Sequence, residues 1–204
     1  DEAYGATQTL VFHGWMRAAY QSLLEGRHSH GQALALCGPQ GCGKSCAQAL
    51  IITPMLGNRA GKAARYMMGK TEFNADLCGT EHLVLDDEFM STHMAARLQL
   101  AANIKQMCVG TNVVSVHAKG RNAVNLRIWW RTSISVNDDP EAMLVLPPLD
   151  EHVADKIILL RCHDFNQSMP MRTREDKELF AAQLRREMPA YASWLIHDFQ
   201  LPPE

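Results

Sequence analysis

Apolar positions in this chain switch between helical and strand spacing several times, and each switch marks an element. Over Thr9–Glu25, Leu10, Val11, Trp15, Ala18, Ala19 and Leu23 recur at helical spacing, and Gly26 ends the run. Ala33–Cys37 is apolar throughout, the mark of a short strand covered on both faces, and Gly38 opens a glycine-rich turn. A helix is expected from Lys44 to about Met55, limited by Pro54. Gly57–Gly69 is basic and Gly-rich, with a candidate strand at Arg65–Met68. Glu81–Leu85 reads as a strand that runs into three acids. Over Ser91–Cys108, Met94, Ala95, Leu98, Ala101, Ala102 and Lys105 keep the 3.6 period, with Ser91 or Thr92 as the cap.

Two period-two runs then flank a Gly-containing tip, Lys119-Gly120-Arg121-Asn122, which predicts a β-hairpin at about 112–128. Of Trp129 and Trp130, which follow, one is expected in the core and the other at a surface. A strand at Thr132–Val136 ends on Asn137. The tail predicts a charged helix near Thr173–Glu187, a break at Pro189, and an apolar helix at Tyr191–Phe199. Strands alternating with helices argue for an α/β sheet sandwiched by helices, with a small C-terminal helical lid. The expected division is a helical lead-in over 1–30, a core over 31–165 and the lid over 166–204.

At 204 residues and 47% apolar usage, the chain is an ordinary globular domain. No stretch approaches the ~20 consecutive apolar residues of a membrane helix, so no membrane partner is expected. The six cysteines include no CxxC pair, and none of the nine histidines has metal-ligand spacing. That usage fits a reducing, cytoplasmic compartment. Beginning on Asp1 suggests a piece of a longer polypeptide or a processed chain. A formal charge of −2 excludes a uniformly basic nucleic-acid binder. The sum conceals a segregation, because Phe89–Asn137 holds no Asp or Glu but contains Arg97, Lys105, Lys119, Arg121, Arg127 and Arg131. The remainder carries 14 basic and 22 acidic residues.

The chemistry starts at Gly38-Pro39-Gln40-Gly41-Cys42-Gly43-Lys44-Ser45, which fits G-x-x-x-x-G-K-[ST] after a buried strand and before a helix. Glycines let backbone N–H groups turn inward around phosphate oxygens, and a helix N-terminus favours negative charge. Lys44 is expected to bridge the β- and γ-phosphates of ATP, and the Ser45 hydroxyl to hold Mg²⁺. Downstream, Asp86 at the acidic strand end suits the Mg²⁺ shell. Asp87 stands where a carboxylate would orient and deprotonate water, and Glu88 competes because the register of three acids is open. A solvated acidic turn is the plainer reading of the run. An amide at Asn137 can hydrogen-bond both a γ-phosphate and the attacking water, although an Asn-Asp turn capping a strand reads the same in isolation.

The order phosphate loop, acidic strand, basic hairpin and strand-Asn-x-x-Pro resembles superfamily III helicases, the ring-forming AAA+ ATPases of small DNA viruses, phages, plasmids and mobile-element primase–helicases. The residues that carry it are Gly38–Ser45, Leu83–Glu88 and Ser133–Pro140; the tail, with Arg185, Pro189, Trp194, Ile196, Phe199 and Pro202, is similar to the lid of phage-type primase–helicases. The resemblance implies an ASCE-type P-loop fold, ATP and Mg²⁺ as cofactors, Asn137 as sensor, and a hexameric ring. It also implies a hairpin that grips single-stranded DNA in the ring channel, here through His117, Lys119 and Arg121. The family places an arginine after the sensor to reach a neighbour's ATP. This chain has none there, and Lys156 and Arg161 are its candidates for that trans-acting charge, with an ordinary strand or helix role equally open to both. Two other classes stay open: a P-loop small-molecule (nucleotide-type) kinase, and a nucleotide-dependent DNA-binding or assembly module without unwinding.

Overall fold

The computed structural model describes residues 2–29, 31–86, 91–109, 113–163 and 172–200. Helix α1 (Glu2–Leu24) leads into β1 (Ala33–Gly38), the phosphate loop and α2 (Lys44–Ala47). α2 continues without a break through a π-turn (Gln48–Ile52) into α3 (Thr53–Met55), so the expected helix is present with one over-wide turn in it. β2 (Ala60–Lys62), α4 (Ala64–Met67), β3 (His82–Leu85) and α5 (Met94–Val109) follow. The hairpin β4 (Val113–Val116) and β5 (Val124–Arg127) precedes β6 (Arg131–Asn137), α6 (Pro140–Met143), β7 (Ile157–Arg161) and α7 (Arg174–His197).

Five strands form one sheet in the order β2-β3-β6-β1-β7, every pairing parallel. Side-chain alternation along β1 divides the core in two. Ala33, Ala35 and Cys37 face α4, α5 and the hairpin, whereas Leu34 and Leu36 face α1, α3 and α7. Each fully buried leucine contributes about 1.5–3 kcal/mol. β1 is buried at every position and β6 at all but its last, because strands in the middle of a doubly covered parallel sheet have no solvent face. The result is an α/β fold with a parallel sheet between helical layers, as the strand–helix alternation predicts.

Three local expectations are corrected. The strand expected at Arg65–Met68 is helix α4, because Ala63, Ala64, Met67 and Met68 are all buried, a spacing that only a helix turns to one side. The strand lies just before it as β2, where a side chain at Gly61 would come within 2.7 Å of Leu77 Cδ2. The break expected at Pro189 is absent, and α7 runs through it. Leu184, Met188, Tyr191 and Leu195 keep one helical stripe across the proline, while Arg185, whose carbonyl loses its partner, is solvent-exposed. Packing of that stripe on α1 outweighs the ~3 kcal/mol cost of an interior proline. Finally, α5 starts at Met94, and Ser91 instead accepts a turn bond from His93 N at 3.4 Å. Of the tryptophans, Trp130 is core, donating from Nε1 to Leu77 O at 3.1 Å, and Trp129 is half-buried.

Candidate functional site

The C-terminal ends of the strands in a parallel sheet share one edge, and loops there converge on ligands. At this edge the loop leaves β1 at Gly38, where an added Cβ would sit 2.3 Å from Cys162 O, so no side chain fits. Gly41 and Gly43 have φ of 86° and 94°, left-handed values that glycine adopts without strain. The turn delivers Lys44 to the first position of α2, buried, with its Nζ donating to Gly38 O (2.7 Å), Pro39 O (2.8 Å) and Asn137 Oδ1 (3.1 Å). All three ammonium protons are thereby directed. Ser45 stands exposed on the first turn of the same helix.

Strand order explains why Asn137 can reach Lys44, 93 residues away. β6 is inserted between β1 and β3, and Gly38 and Asn137 are register partners. β3 ends on Leu85, opposite Ile134, so Asp86 emerges at the same edge; its Oδ2 lies 3.5 Å from Lys62 Nζ. Asp87 and Glu88 lie outside the described residues. Among the described residues no group of three His, Cys, Asp or Glu gathers to hold a metal. Ser45 and Asp86 are both solvent-accessible, and a hydroxyl and a carboxylate are the hard oxygen donors that Mg²⁺ takes alongside phosphates and water.

Beneath the loop lies a buried polar group that the sequence pattern does not reveal. Ser133 Oγ accepts from Gln48 Nε2 (2.8 Å) and meets His82 Nε2 (2.7 Å). His82 Nδ1 meets Thr53 Oγ1 (2.7 Å), and that hydroxyl donates to Gln48 O (2.9 Å). One proton arrangement satisfies every atom: a neutral His82 with its proton on Nδ1, donating to Thr53 and accepting from Ser133. A second ring proton would leave the Ser133 hydroxyl hydrogen without an acceptor. Burial accordingly pushes His82 down to about 4. The group ties the π-turn after α2 to both β3 and β6.

A cavity of about 360 Å³ continues from the loop, walled by Thr9 and Phe12 of α1, Ala47 of α2, and Leu160 and Arg161 of β7. Arg161, opposite Cys37 in the register, therefore belongs to the same edge as Lys44. Its backbone N–H donates to Gln8 Oε1 at 2.5 Å. Lys156 is at the other end of β7, ion-paired with Asp155, whose carboxyl that pairing holds below its usual range. The two candidate trans-acting cations are thus separated by the length of a strand.

The hairpin places its three candidate residues unequally. Lys119 and Arg121 are exposed on the tip, where Arg121 N donates to Ala118 O across a turn with Gly120 at φ 72°. His117 lies at the shoulder, its ring 5.1 Å from that of Phe73. Buried Asn74 clamps this shoulder: its N donates to His117 O (3.1 Å), its Nδ2 to Ser115 O (3.0 Å), and its Oδ1 accepts from His117 N (2.8 Å). An Asn in a Glu-Phe-Asn-Ala stretch carries no sequence signal for that role. Of the six cations gathered between the acidic motif and Asn137, Arg131 is buried on Ser29, and Arg97 donates to Leu146 O at 2.8 Å. Lys105, Lys119, Arg121 and Arg127 are exposed.

No protein-family profile matches the chain, and no characterised protein matches it by sequence. By structure it overlays on the C-terminal region of NrS-1 in apo form with a TM-score of 0.64 at 14% identity, covering 93% of this chain and 42% of that one. A second structure of that region gives a TM-score of 0.57 at 12% identity, covering 92% and 41%. A JCV helicase structure with a bound small molecule gives a TM-score of only 0.42 at 12% identity, covering 93% and 50%. The likeness to the NrS-1 region is one of fold, and the chain spans about two fifths of that region.

Proposed function

We propose that this chain is the ATP-hydrolysing motor domain of a superfamily III-type DNA replication helicase. The observation that carries the reading is the Lys44 ammonium shared between the carbonyls of its own loop and Asn137 Oδ1, on the sheet edge where Asp86 also emerges. A γ-phosphate at this position meets Lys44 and Asn137 together, so its presence redirects both side chains. Ser45 and Asp86 would hold Mg²⁺, which when bound would neutralise phosphate charge. The loop N–H groups and Lys44 orient the phosphates, and Asp87 or Glu88 orients and deprotonates water. The cavity between α1 and β7 receives the nucleoside, and α7 packs beside it as a lid.

In this reading β6 links nucleotide to DNA. It begins at the hairpin and ends at the sensor, six steps of about 3.3 Å, roughly 20 Å in all. Lys119 and Arg121 contact phosphates of single-stranded DNA in a homo-oligomeric, hexameric ring. A cation acting across the subunit boundary belongs to the same reading; of the candidates, Arg161 lines its own cavity and Lys156 does not.

The decisive experiment is the ATPase rate with and without single-stranded DNA across protein concentration. Stimulation by DNA that rises steeply with concentration is expected. A DNA-independent rate at all concentrations replaces the motor with a nucleotide-dependent assembly module, and phosphorylated acceptor in place of free phosphate replaces it with a kinase.

A further inference from the structure

Two thiols meet at the rim of the phosphate loop, and the parity of the sheet selects which two. Cys37 points with Ala33 and Ala35 to the α5 face, where its Sγ donates to Met143 Sδ at 3.1 Å. Cys162, one residue past β7, packs on the opposite face with Leu36 and Leu160. Its N–H is held by Cys37 O at 2.6 Å, and its Cβ lies 2.9 Å from where a side chain on Gly38 would begin. Cys42, in the loop itself, comes to the same place. The two thiols are neighbours, both half-buried, and both line the cavity beside the loop. Lys44 Nζ lies 3.8 Å from Cys42 Sγ.

We propose that Cys42 and Cys162 are a peroxide-sensitive thiol pair whose reversible disulfide closes the phosphate loop to nucleotide. The inference rests on the nucleotide reading of the loop. In the first step the Cys42 thiolate attacks one peroxide oxygen and the O–O bond breaks. Hydroxide leaves and is protonated to water, and Cys42 becomes a sulfenic acid. Next, Cys162 sulfur attacks Cys42 sulfur, the S–O bond breaks, and the second water leaves with the Cys162 proton. Two thiols lose two electrons and peroxide gains them; a dithiol reductant reverses the change. Cys42, with its Sγ 3.8 Å from the Lys44 ammonium, takes the first step, and Cys162, whose thiol burial pushes up to about 11, is the weaker nucleophile and reacts second.

The disulfide acts on the loop's own hydrogen bonds. Cys42 N–H donates to Pro39 O at 3.4 Å, a long bond that a phosphate oxygen displaces when the loop opens around it. A covalent tether from residue 42 to the end of β7 holds that turn closed, and it occupies the mouth of the cavity.

The test treats full-length chain with hydrogen peroxide, maps crosslinked peptides by mass spectrometry, and titrates a fluorescent ATP analogue before oxidation, after it, and after dithiothreitol. A Cys42–Cys162 crosslink is expected, with affinity weakened by roughly tenfold or more and restored on reduction. Cys162→Ser and Cys162→Ala proteins should show an oxidised-to-reduced affinity ratio near one. Absence of the crosslink, a crosslink that leaves affinity unchanged, or a peroxide effect that persists in both variants overturns the proposal. If reduced protein binds no nucleotide, the nucleotide reading fails instead, and the peptide map still reports the thiol pair separately.

Discussion

At its C-terminal end β6 runs under the phosphate loop, where Ser133 to Val136 are buried and Asn137 is bonded to Lys44. At its N-terminal end it emerges from a hairpin whose second strand is exposed at every position. The loop end is cross-linked by polar bonds from three other elements: Lys44 to Asn137, and Gln48 and His82 to Ser133. Among the described residues, the hairpin strands themselves are held by one buried polar side chain, Asn74, and by the buried Val114 and Val116 on their inner face. Phosphate chemistry needs donors fixed in advance, since reorganising them during reaction raises the barrier. Gripping a polymer needs reach and a low cost of displacement, which few buried contacts and solvated strands supply. One strand joins a rigid site to a compliant one.

Four changes would break or sharpen that contrast. The largest effect belongs to Lys44→Ala, which removes the ammonium that gathers loop and sensor; ATP turnover should fall by roughly 10²–10³-fold. A phosphate-release assay that found near-normal turnover would end the assignment of the site. Next is the buried group. His82→Leu leaves the buried Ser133 hydroxyl hydrogen without an acceptor, takes a donor from Thr53 Oγ1, and should lower stability by about 2–4 kcal/mol in urea titrations.

The same histidine makes stability depend on pH. Unfolded, a histidine titrates near 6.5, whereas in the fold it does so near about 4. Between those values the unfolded chain binds the extra proton. Stability is therefore fully present above about 6.5 and declines by roughly 3 kcal/mol as pH falls to about 4. His82→Gln should flatten that part of the profile, and identical slopes for both proteins would place the dependence elsewhere.

At the hairpin the effects are smaller. Asn74→Ala removes both side-chain bonds of the clamp, leaves its backbone bond to His117, and should cost about 1–2 kcal/mol of stability. Its DNA-stimulated ATPase should fall more than its basal rate; equal losses would mean that the clamp supports the whole fold. Smallest in stability is Lys119→Ala combined with Arg121→Ala, within about 0.5 kcal/mol of wild type because both side chains are exposed. Its readout is the salt dependence of single-stranded DNA binding, where the log–log slope should drop by about 1.4. An unchanged slope removes the hairpin tip from the DNA path.

Much of the sheet was legible because its signals are local. Leu34 and Leu36 alternate with Ala33, Ala35 and Cys37, and the hairpin alternation around Gly120 matches the register from Val113↔Arg127 to Val116↔Val124. No flanking cue marks β7, although Ile157–Leu160 is continuously apolar, because a five-residue edge strand after a loop carries no local pattern of its own. Helix α4 and the unbroken α7 were misread where packing overrode a local cue, the burial of Met67 in one case and the stripe across Pro189 in the other.

By itself, the sequence determined the backbone of the glycine-rich loop, since Gly38–Ser45 is one consecutive run and its left-handed turns fall on Gly41 and Gly43. It also determined the alternation that makes an α/β sheet, and the segregation of basic charge around the hairpin. Only the tertiary structure decided which distant residues complete the site. Inserting β6 between β1 and β3 brings Asn137 to Lys44 and seats His82 between Thr53 and Ser133, and pairing β7 on the other side of β1 brings Cys162 to the cavity that Cys42 also lines. The reason is physical: strand order is settled by how two apolar faces are covered, a property of the whole chain that no local window contains.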